Sequence, residues 1–371
     1  MLPLEPGITS IAVIGRLATA PNMGDHGSSD VRAPSFVTPL DGIRAAFPQA
    51  VVRAMTDDDP DAAAAAARDA DAAIVVVGFD AEDEGEFVGA EGVTTPELMA
   101  LFSPVPEDVT GPDGKPFDLR TAMGSGAVGH GGDRASLALR PVDEAIIRAV
   151  AAENPRTVVS IVAAGAVLTE GWRHEVPTVL LQWYAGMEGG HALADVLSGK
   201  QNPSGRLPFA IPTSPEHLPF FDRDATEITY DRFHGQRLLD RLGVEAAYPH
   251  GFGLSYTSFE LADAAVQQVE DQGWTVTVNV RNTGEHDGRH TVQVYGHRLS
   301  GEHAGERWLV GFAGVEVHAG GFATVPVPIS LTPLALWNDE AKDRIPPDLD
   351  DVELEVGAHA HDPAAAILRL V

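Results

Sequence analysis

The hydrophobic pattern of the chain changes between its two halves, and this change limits the folds that it can adopt. The first half contains apolar runs with almost no polar interruption, at 8–15, 72–79, 158–167 and 178–184. Helices are predicted between these runs, at 61–70 after an Asp59-Pro60 start, at 141–153 and at 188–197. Apolar strands separated by helices predict a parallel sheet that is covered on both faces.

The second half alternates apolar and polar residues instead. The alternation is strict at 274–280, 291–295 and 324–329, and turn residues separate these segments. It predicts half-buried antiparallel strands in a sandwich of the immunoglobulin or fibronectin type III kind. We therefore expect an α/β sandwich with a mainly parallel sheet at 1–212, a connector that wraps over a neighbouring part at 213–254, and an all-β sandwich at 255–371.

Composition and charge exclude several classes of function. The 54 acidic and 25 basic residues give a formal charge of -29, a field that repels nucleic acids and anionic membranes. The chain has no cysteine, which excludes disulfides and thiolate metal sites. Its apolar runs are shorter than the roughly 20 residues of a membrane span. Residues 1–6 lack the basic start of a signal peptide, so we expect a cytoplasmic protein.

One segment, at about 89–132, fits neither half. It is rich in Pro, Gly and Asp and has little apolar periodicity, which predicts a mobile insertion. Its Gly-Ser-Gly-Ala-Val-Gly sequence at 124–129 formally matches a dinucleotide fingerprint. That motif functions between a strand and a helix, and no apolar strand precedes it here, so we reject nucleotide binding.

An acidic cluster at 82–86 follows the apolar run that ends at Phe79. Ligand sites of parallel α/β sheets lie at the carboxyl ends of strands, where this cluster falls. Neighbouring carboxylates also raise one another's pKa, which suits an acid catalyst. The alternative is a solvated charge run on a loop, and position alone favours that reading.

Three motifs resemble the carboxy-terminal half of family 3 glycoside hydrolases. They are Gln-Trp-Tyr-Ala-Gly-Met-Glu-Gly-Gly at 182–190, Asn-Pro-Ser-Gly-Arg-Leu-Pro at 202–208 and Gly-Phe-Gly-Leu-Ser-Tyr-Thr at 251–257. The resemblance implies a retaining reaction on a β-glucoside or related sugar, carried out by two carboxyl groups about 5 Å apart. It implies no cofactor.

The resemblance also implies where the proton donor lies. In the family it is a Glu before a Gly, followed within a few residues by Asp-Arg. Here Glu84 precedes Gly85, while Asp133 and Arg134 come much later, because Gly85 and Asp133 are 48 positions apart. Glu84 is the predicted proton donor since it directly precedes that glycine. Glu82 and Glu86 are the alternatives.

The family's nucleophilic Asp lies on a TIM-like barrel that the resemblance does not cover. We therefore expect a separate barrel polypeptide as partner and an isolated chain that is inactive. The alternative is a non-catalytic module, derived from such an enzyme, that binds a carbohydrate or a protein.

Other candidate residues have structural roles as alternatives. Asp25 and His26 lie in a loop that resembles the family's and are candidates for sugar binding, but turn scaffold is favoured. Arg134 is a further candidate for substrate binding, although an anchor for the insertion, or a surface pair, is favoured. Trp183 and Tyr184 could stack on a sugar, but they end an apolar strand and are assigned to the core.

Two histidine pairs lie close enough in sequence to suggest metal ligands. His286 with His290, and His359 with His361, have no third ligand at motif spacing. We therefore expect surface histidines and no metal site.

Overall fold

The structure is a computed structural model that describes residues 1–24, 33–84, 134, 136–222, 225–269 and 273–370. The predicted insertion at 89–132 lies outside these residues. No helix in the described ranges is long and apolar enough to cross a membrane.

The first part is a five-stranded parallel sheet with helices on both faces. Its strands are β1 (Ser10–Ile14), β2 (Val51–Met55), β3 (Ala72–Gly78), β4 (Thr157–Val162) and β5 (Thr178–Leu181), in the order β2-β1-β3-β4-β5. The helices are α1 (Pro39–Ala46), α2 (Pro60–Arg68), α3 (Ala81–Glu84), α4 (Pro141–Glu153) and α5 (Gly189–Leu197). This arrangement confirms the predicted α/β class.

Burial of both sheet faces explains the continuous apolar runs. Every residue of β3 and β4 is buried. One core forms between the sheet and helices α2 and α4, and a second between the sheet and helices α1 and α5. A strand covered on both faces cannot alternate polar with apolar residues, so its sequence reads as one apolar run.

Local sequence signals set the helix boundaries. The Asp59 side chain accepts hydrogen bonds from the amides of Asp61 and Ala62, at 2.9 and 3.1 Å, as the predicted amino-terminal cap of α2. At the end of α4, the Asn154 side chain donates to the carbonyl oxygen of Ala67 at 2.8 Å. Asn154 thus ends helix α4 and joins it to the end of helix α2.

Strand β2 was not predicted. It forms one edge of the sheet, and Val51 is 56% exposed. The sheet edge leaves β2 with neither a continuous apolar run nor strict alternation, so hydrophobic periodicity gives no signal for it.

The second part is an antiparallel sandwich of seven strands in two sheets. The strands are β8 (Phe259–Val269), β9 (Gly273–Asn282), β10 (Gly288–Arg298), β11 (Trp308–Val317), β12 (Phe322–Ile329), β15 (Val352–Gly357) and β16 (Ala366–Arg369). Their orders are β11-β10-β15-β16 and β12-β9-β8. Alternate valines of β9, such as Val276 and Val278, point into the shared core and are fully buried. The predicted all-β class is confirmed.

Short elements complete the fold. A helix α6 (Gln236–Leu242) lies between two short paired strands, β6 (Ile211–Pro212) and β7 (Ala246–Tyr248), and a hairpin of β13 (Leu336–Asn338) and β14 (Asp343–Ile345) extends the second part. Helix α6 contacts the sandwich, because Asp240 accepts from Arg307 at 2.9 Å and the Arg237 guanidinium lies 3.9 Å from the Trp308 ring centre. The domain boundaries drawn from the sequence stay a prediction.

Candidate active site

The candidate site lies at the carboxyl edge of the parallel sheet, between β1 and β3. The chain passes from β1 to β2 on one side and returns to β3 on the other, so the sheet order reverses between these two central strands. Ligand crevices of open α/β sheets form at such reversal points. The acidic cluster follows β3 directly and therefore lies at this edge.

Gly78 lets the chain leave β3 at a sharp angle. Its φ is +133, and a Cβ at this position would lie 1.9 Å from the carbonyl oxygen of Val162 on β4. A side chain is excluded by both the backbone conformation and this contact. The turn is completed by the Phe79 amide, which donates to the same Val162 oxygen at 2.9 Å, and helix α3 then begins.

An arginine from β1's end holds the start of helix α3. Arg16 forms ion pairs with Asp80 and Asp83 and donates to the Gly78 carbonyl oxygen at 3.1 Å. The two aspartates also accept from each other's backbone amides, at 3.0 and 3.2 Å. Arg16 was not predicted from the sequence, although a cation directly after β1 lies at the same sheet edge. The Asp83 carboxylate therefore has a structural role, which is to hold the start of helix α3.

Glu84 lies at the end of this short helix, and two side chains contact its carboxylate. Its Oε2 lies 3.0 Å from Nε of Arg134, and its Oε1 accepts from the Tyr184 hydroxyl at 2.8 Å. The Glu84 and Arg134 side chains are only 10% and 13% exposed. The carboxylate is therefore fixed in orientation and largely shielded from water, rather than being part of a solvated charge run.

Arg134 is buried beside the same carboxylate. Its guanidinium lies 4.2 Å from the centre of the Phe79 ring, a cation–π contact. Its Nη1 is buried without a hydrogen-bond partner in the described part of the chain. Arg134 and Glu84 thus form a buried ion pair and not a surface pair. Removing either partner would lower the free energy of unfolding by about 3–5 kcal/mol, because the other charge would be left buried and unpaired.

Tyr184 has both the core role that was expected and a role at the site. Its ring packs against the core under one face of the sheet, while its hydroxyl reaches Glu84, 100 positions away in sequence. Trp183 has a positive φ of 60 and packs edge-on against Phe209, with ring centres 5.7 Å apart. The turn at Trp183 follows β5, so Tyr184 comes from the same carboxyl edge as Glu84 does.

Several predicted residues cannot be placed. Asp25, His26, Asp133 and Glu86 lie outside the described residues, and for Glu82 the structure describes the backbone of α3 but not the side chain. The choice of Glu84 over Glu82 and Glu86, and the sugar-binding role of Asp25, His26 and Arg134, stay predictions.

The histidines are not all at the surface. His290 is 4% exposed, so the prediction that it is a surface residue was wrong. It lies on β10, where alternate residues face the sandwich interior. His361 is half exposed and contacts Asp240 at 2.7 Å. Across the described ranges, no group of three His, Cys, Asp or Glu side chains is arranged to hold a metal ion.

Comparison with known families identifies this fold. The model of the glycosyl hydrolase family 3 C-terminal domain matches residues 1–256, more than half of the chain. The chain belongs to glycoside hydrolase family 3. A fibronectin type III-like domain matches residues 290–360 of this family 3 chain, within the second sandwich.

Curated relatives of this family 3 chain are considerably longer. Beta-glucosidase BoGH3A of Bacteroides ovatus is 30% identical over 80% of the chain, which matches 38% of the relative. An exo-alpha-(1->6)-L-arabinopyranosidase of Bifidobacterium longum is 28% identical over 99% of the chain and 45% of its own length. The chain thus spans less than half of these relatives.

Solved structures also match the chain over only part of their own length. The beta-D-glucoside glucohydrolase of Trichoderma reesei superposes with a TM-score of 0.80 at 24% identity, over 100% of the chain and 53% of that structure. The GH3 beta-glucosidase of Bifidobacterium adolescentis gives a TM-score of 0.75 at 26% identity, over 100% and 50%. The family 3 chain therefore has the fold of about half of each enzyme.

Proposed function

We propose that this chain carries the acid/base catalyst, Glu84, of a retaining β-glucosidase-type glycoside hydrolase. The observation that carries the proposal is the Glu84 carboxylate, which is nine-tenths buried and held by Arg134 and Tyr184 at the carboxyl edge of the sheet. A positioned carboxyl group at such an edge suits proton transfer to a bound ligand. The beta-glucosidases among the relatives support the reaction class.

The two oxygens of Glu84 have different partners, and this difference supports a proposal for which oxygen would carry the proton. A guanidinium can only donate hydrogen bonds, so Oε2, which faces Arg134, must act as an acceptor. A tyrosine hydroxyl can donate to a carboxylate or accept from a carboxylic acid. The catalytic proton is therefore assigned to Oε1, beside Tyr184. Tyr184 can satisfy Glu84 in both protonation states.

In the proposed reaction, an aspartate on a barrel polypeptide attacks the anomeric carbon while Glu84 protonates the leaving oxygen. The covalent glycosyl intermediate is then hydrolysed by water, whose proton Glu84 removes. The barrel and its aspartate are taken from the family resemblance. A cytoplasmic location likewise stays a prediction. The sugar is proposed to be a β-glucoside, because several relatives are named beta-glucosidases. A related glycoside is included in the proposal, because other relatives are named an arabinopyranosidase and a xylan xylosidase.

The test combines the chain with a family 3 barrel polypeptide and measures hydrolysis of two β-glucosides. One has a poor alkyl leaving group, and the other has 2,4-dinitrophenolate, which leaves without protonation. Glu84→Ala should slow the alkyl glucoside by about 10²–10⁴-fold, the usual contribution of general acid catalysis. The rate of the glycosylation step with the dinitrophenyl substrate should change little. This rate is measured as the initial burst of released 2,4-dinitrophenolate.

Glu153→Gln is the matched control, because Glu153 also pairs with an arginine, Arg68 at 2.8 Å, but on the outer surface of helix α4. It should leave both rates unchanged. Hydrolysis by the chain alone, or full activity on the alkyl glucoside after Glu84→Gln, would contradict the proposal.

A further inference from the structure

One tryptophan differs from the others in its exposure. Four of the five are buried or half-buried: Trp172, Trp183, Trp274 and Trp308. Trp337, on strand β13, is 59% exposed. In the described part of the chain, no aromatic ring or cation stacks on it, whereas Arg237 covers Trp308. The ring of Trp337 is therefore open to an incoming ligand.

The hairpin that carries Trp337 does not need the ring for packing. Strands β13 and β14 pair through Leu336 with Ile345, Trp337 with Arg344 and Asn338 with Asp343. Of these six residues, Leu336 is half-buried and the other five are exposed. A two-stranded hairpin with so little buried surface gains little stability from a solvated ring.

The ring is nevertheless held in one orientation. Its Nε1 donates to Oδ1 of Asp339 at 3.2 Å, and Nζ of Lys342 lies 3.5 Å from the same oxygen. The turn itself is fixed by Asn338, whose side-chain oxygen accepts from two backbone amides at 3.0 and 2.8 Å. The indole edge is thereby occupied, so the ring presents an aromatic face to an incoming ligand.

Polar side chains surround this face. Arg344 lies directly opposite Trp337 across the hairpin, and cross-strand partners project from the same face of a sheet. Asp339, Lys342 and Arg344 thus place hydrogen-bond donors and acceptors around a flat apolar centre. A pyranose ring matches this arrangement, because it has apolar C–H faces and a rim of hydroxyl groups.

The charge of the hairpin argues for a neutral ligand. Residues 338–344 contain three acidic and two basic side chains, in a chain whose formal charge is -29. A polyanion would be repelled by the protein as a whole. We propose that Trp337 is a surface platform that binds neutral polysaccharide chains, on the sandwich and not at the sheet edge that holds Glu84.

Binding at one exposed ring is expected to be weak for a short oligosaccharide, with a dissociation constant in the millimolar range. A polysaccharide presents many equivalent units, so the same ring rebinds repeatedly and the apparent affinity rises. The expected effect is to keep the protein close to polymeric material. This inference does not depend on the proposed role of Glu84.

Native gel electrophoresis of the chain in gels containing soluble neutral polysaccharide, barley β-glucan or arabinoxylan, tests the proposal. The chain should be retarded relative to a gel without polysaccharide. Trp337→Ala should reduce the retardation at least five-fold, and Trp337→Tyr should keep most of it. Phe322→Ala is the matched control, because Phe322 is a 75% exposed aromatic residue on another strand of the sandwich, and it should migrate like the unmodified chain.

Circular dichroism and the melting temperature establish that each variant is folded. The proposal is overturned if no neutral polysaccharide retards the chain, or if Trp337→Ala is retarded as strongly as the unmodified chain. It is also overturned if light scattering shows a dimer that Trp337→Ala abolishes, because Trp337 would then be an interface between copies of the chain.

Discussion

Acidification is expected to destabilise the sandwich domain through His290. The ring is 4% exposed, it lies against Phe259 with ring centres 4.8 Å apart, and neither ring nitrogen has a hydrogen-bond partner among the described residues. Burial, with a smaller contribution from the positive charge of Arg206, lowers the pKa of His290 from 6.5 to about 4, while Asp362 acts weakly in the opposite direction. The folded state therefore keeps the imidazole neutral.

The size and sign of the effect follow from this pKa difference. Between pH 6.5 and about 4 the unfolded chain binds a proton at His290 that the folded chain does not, so stability falls as the pH falls. One pH unit corresponds to about 1.4 kcal/mol. The loss is thus about 3 kcal/mol, complete near pH 4 and absent above pH 7.

Urea unfolding between pH 7 and pH 4 measures this loss, with hydrogen exchange of the β10 amides reporting on the sandwich itself. The His290→Gln variant cannot bind a proton at this position. Between pH 7 and pH 4 its free energy of unfolding should therefore fall by about 3 kcal/mol less than that of the unmodified chain. His318→Gln is the control. His318 is exposed, and hydrogen bonding to Asp287 raises its pKa, so its contribution has the opposite sign.

Equal pH dependence of the unmodified chain and His290→Gln would refute the reasoning. It would mean that the folded sandwich admits a proton, and hence water, at His290 without opening.

Three further predictions concern packing and the site. Asn282→Ala should lower the free energy of unfolding by about 3 kcal/mol in urea titrations, because the fully buried amide holds several backbone groups that would lose their partner; a loss below about 1 kcal/mol would contradict this. Gly42→Ala should lower the melting temperature, because its Cβ would lie 2.0 Å from the Gly190 carbonyl oxygen and force α1 from α5, whereas Gly7→Ala meets open space and should melt normally. Tyr184→Phe, combined with a barrel polypeptide, should slow the alkyl β-glucoside by about ten-fold but hardly affect the dinitrophenyl burst; equal slowing of both would argue against a role in orienting the proton donor.

The sequence by itself determined the architecture. Continuous apolar runs indicated strands buried on both faces, and strict alternation indicated strands buried on one face, because burial imposes these patterns directly. The Asp59-Pro60 start of α2 was equally local, since a cap acts within one helical turn. The position of the acidic cluster after β3 followed from the same reading.

Only the tertiary structure decided what surrounds the Glu84 carboxylate. Tyr184 lies 100 positions after Glu84, and no local pattern joins the two residues. Arg134 lies 50 positions after Glu84, because the family motif that relates them is interrupted in this chain. Tyr184 meets Glu84 because the sheet order brings the ends of β5 and β3 to one edge, as it also brings Arg16 to Asp83. The burial of His290, by contrast, agrees with periodicity, because His290 lies two residues before the buried Val292 on the same face of β10. Periodicity records which face of an element is buried, whereas pairing across the fold depends on how the elements are arranged.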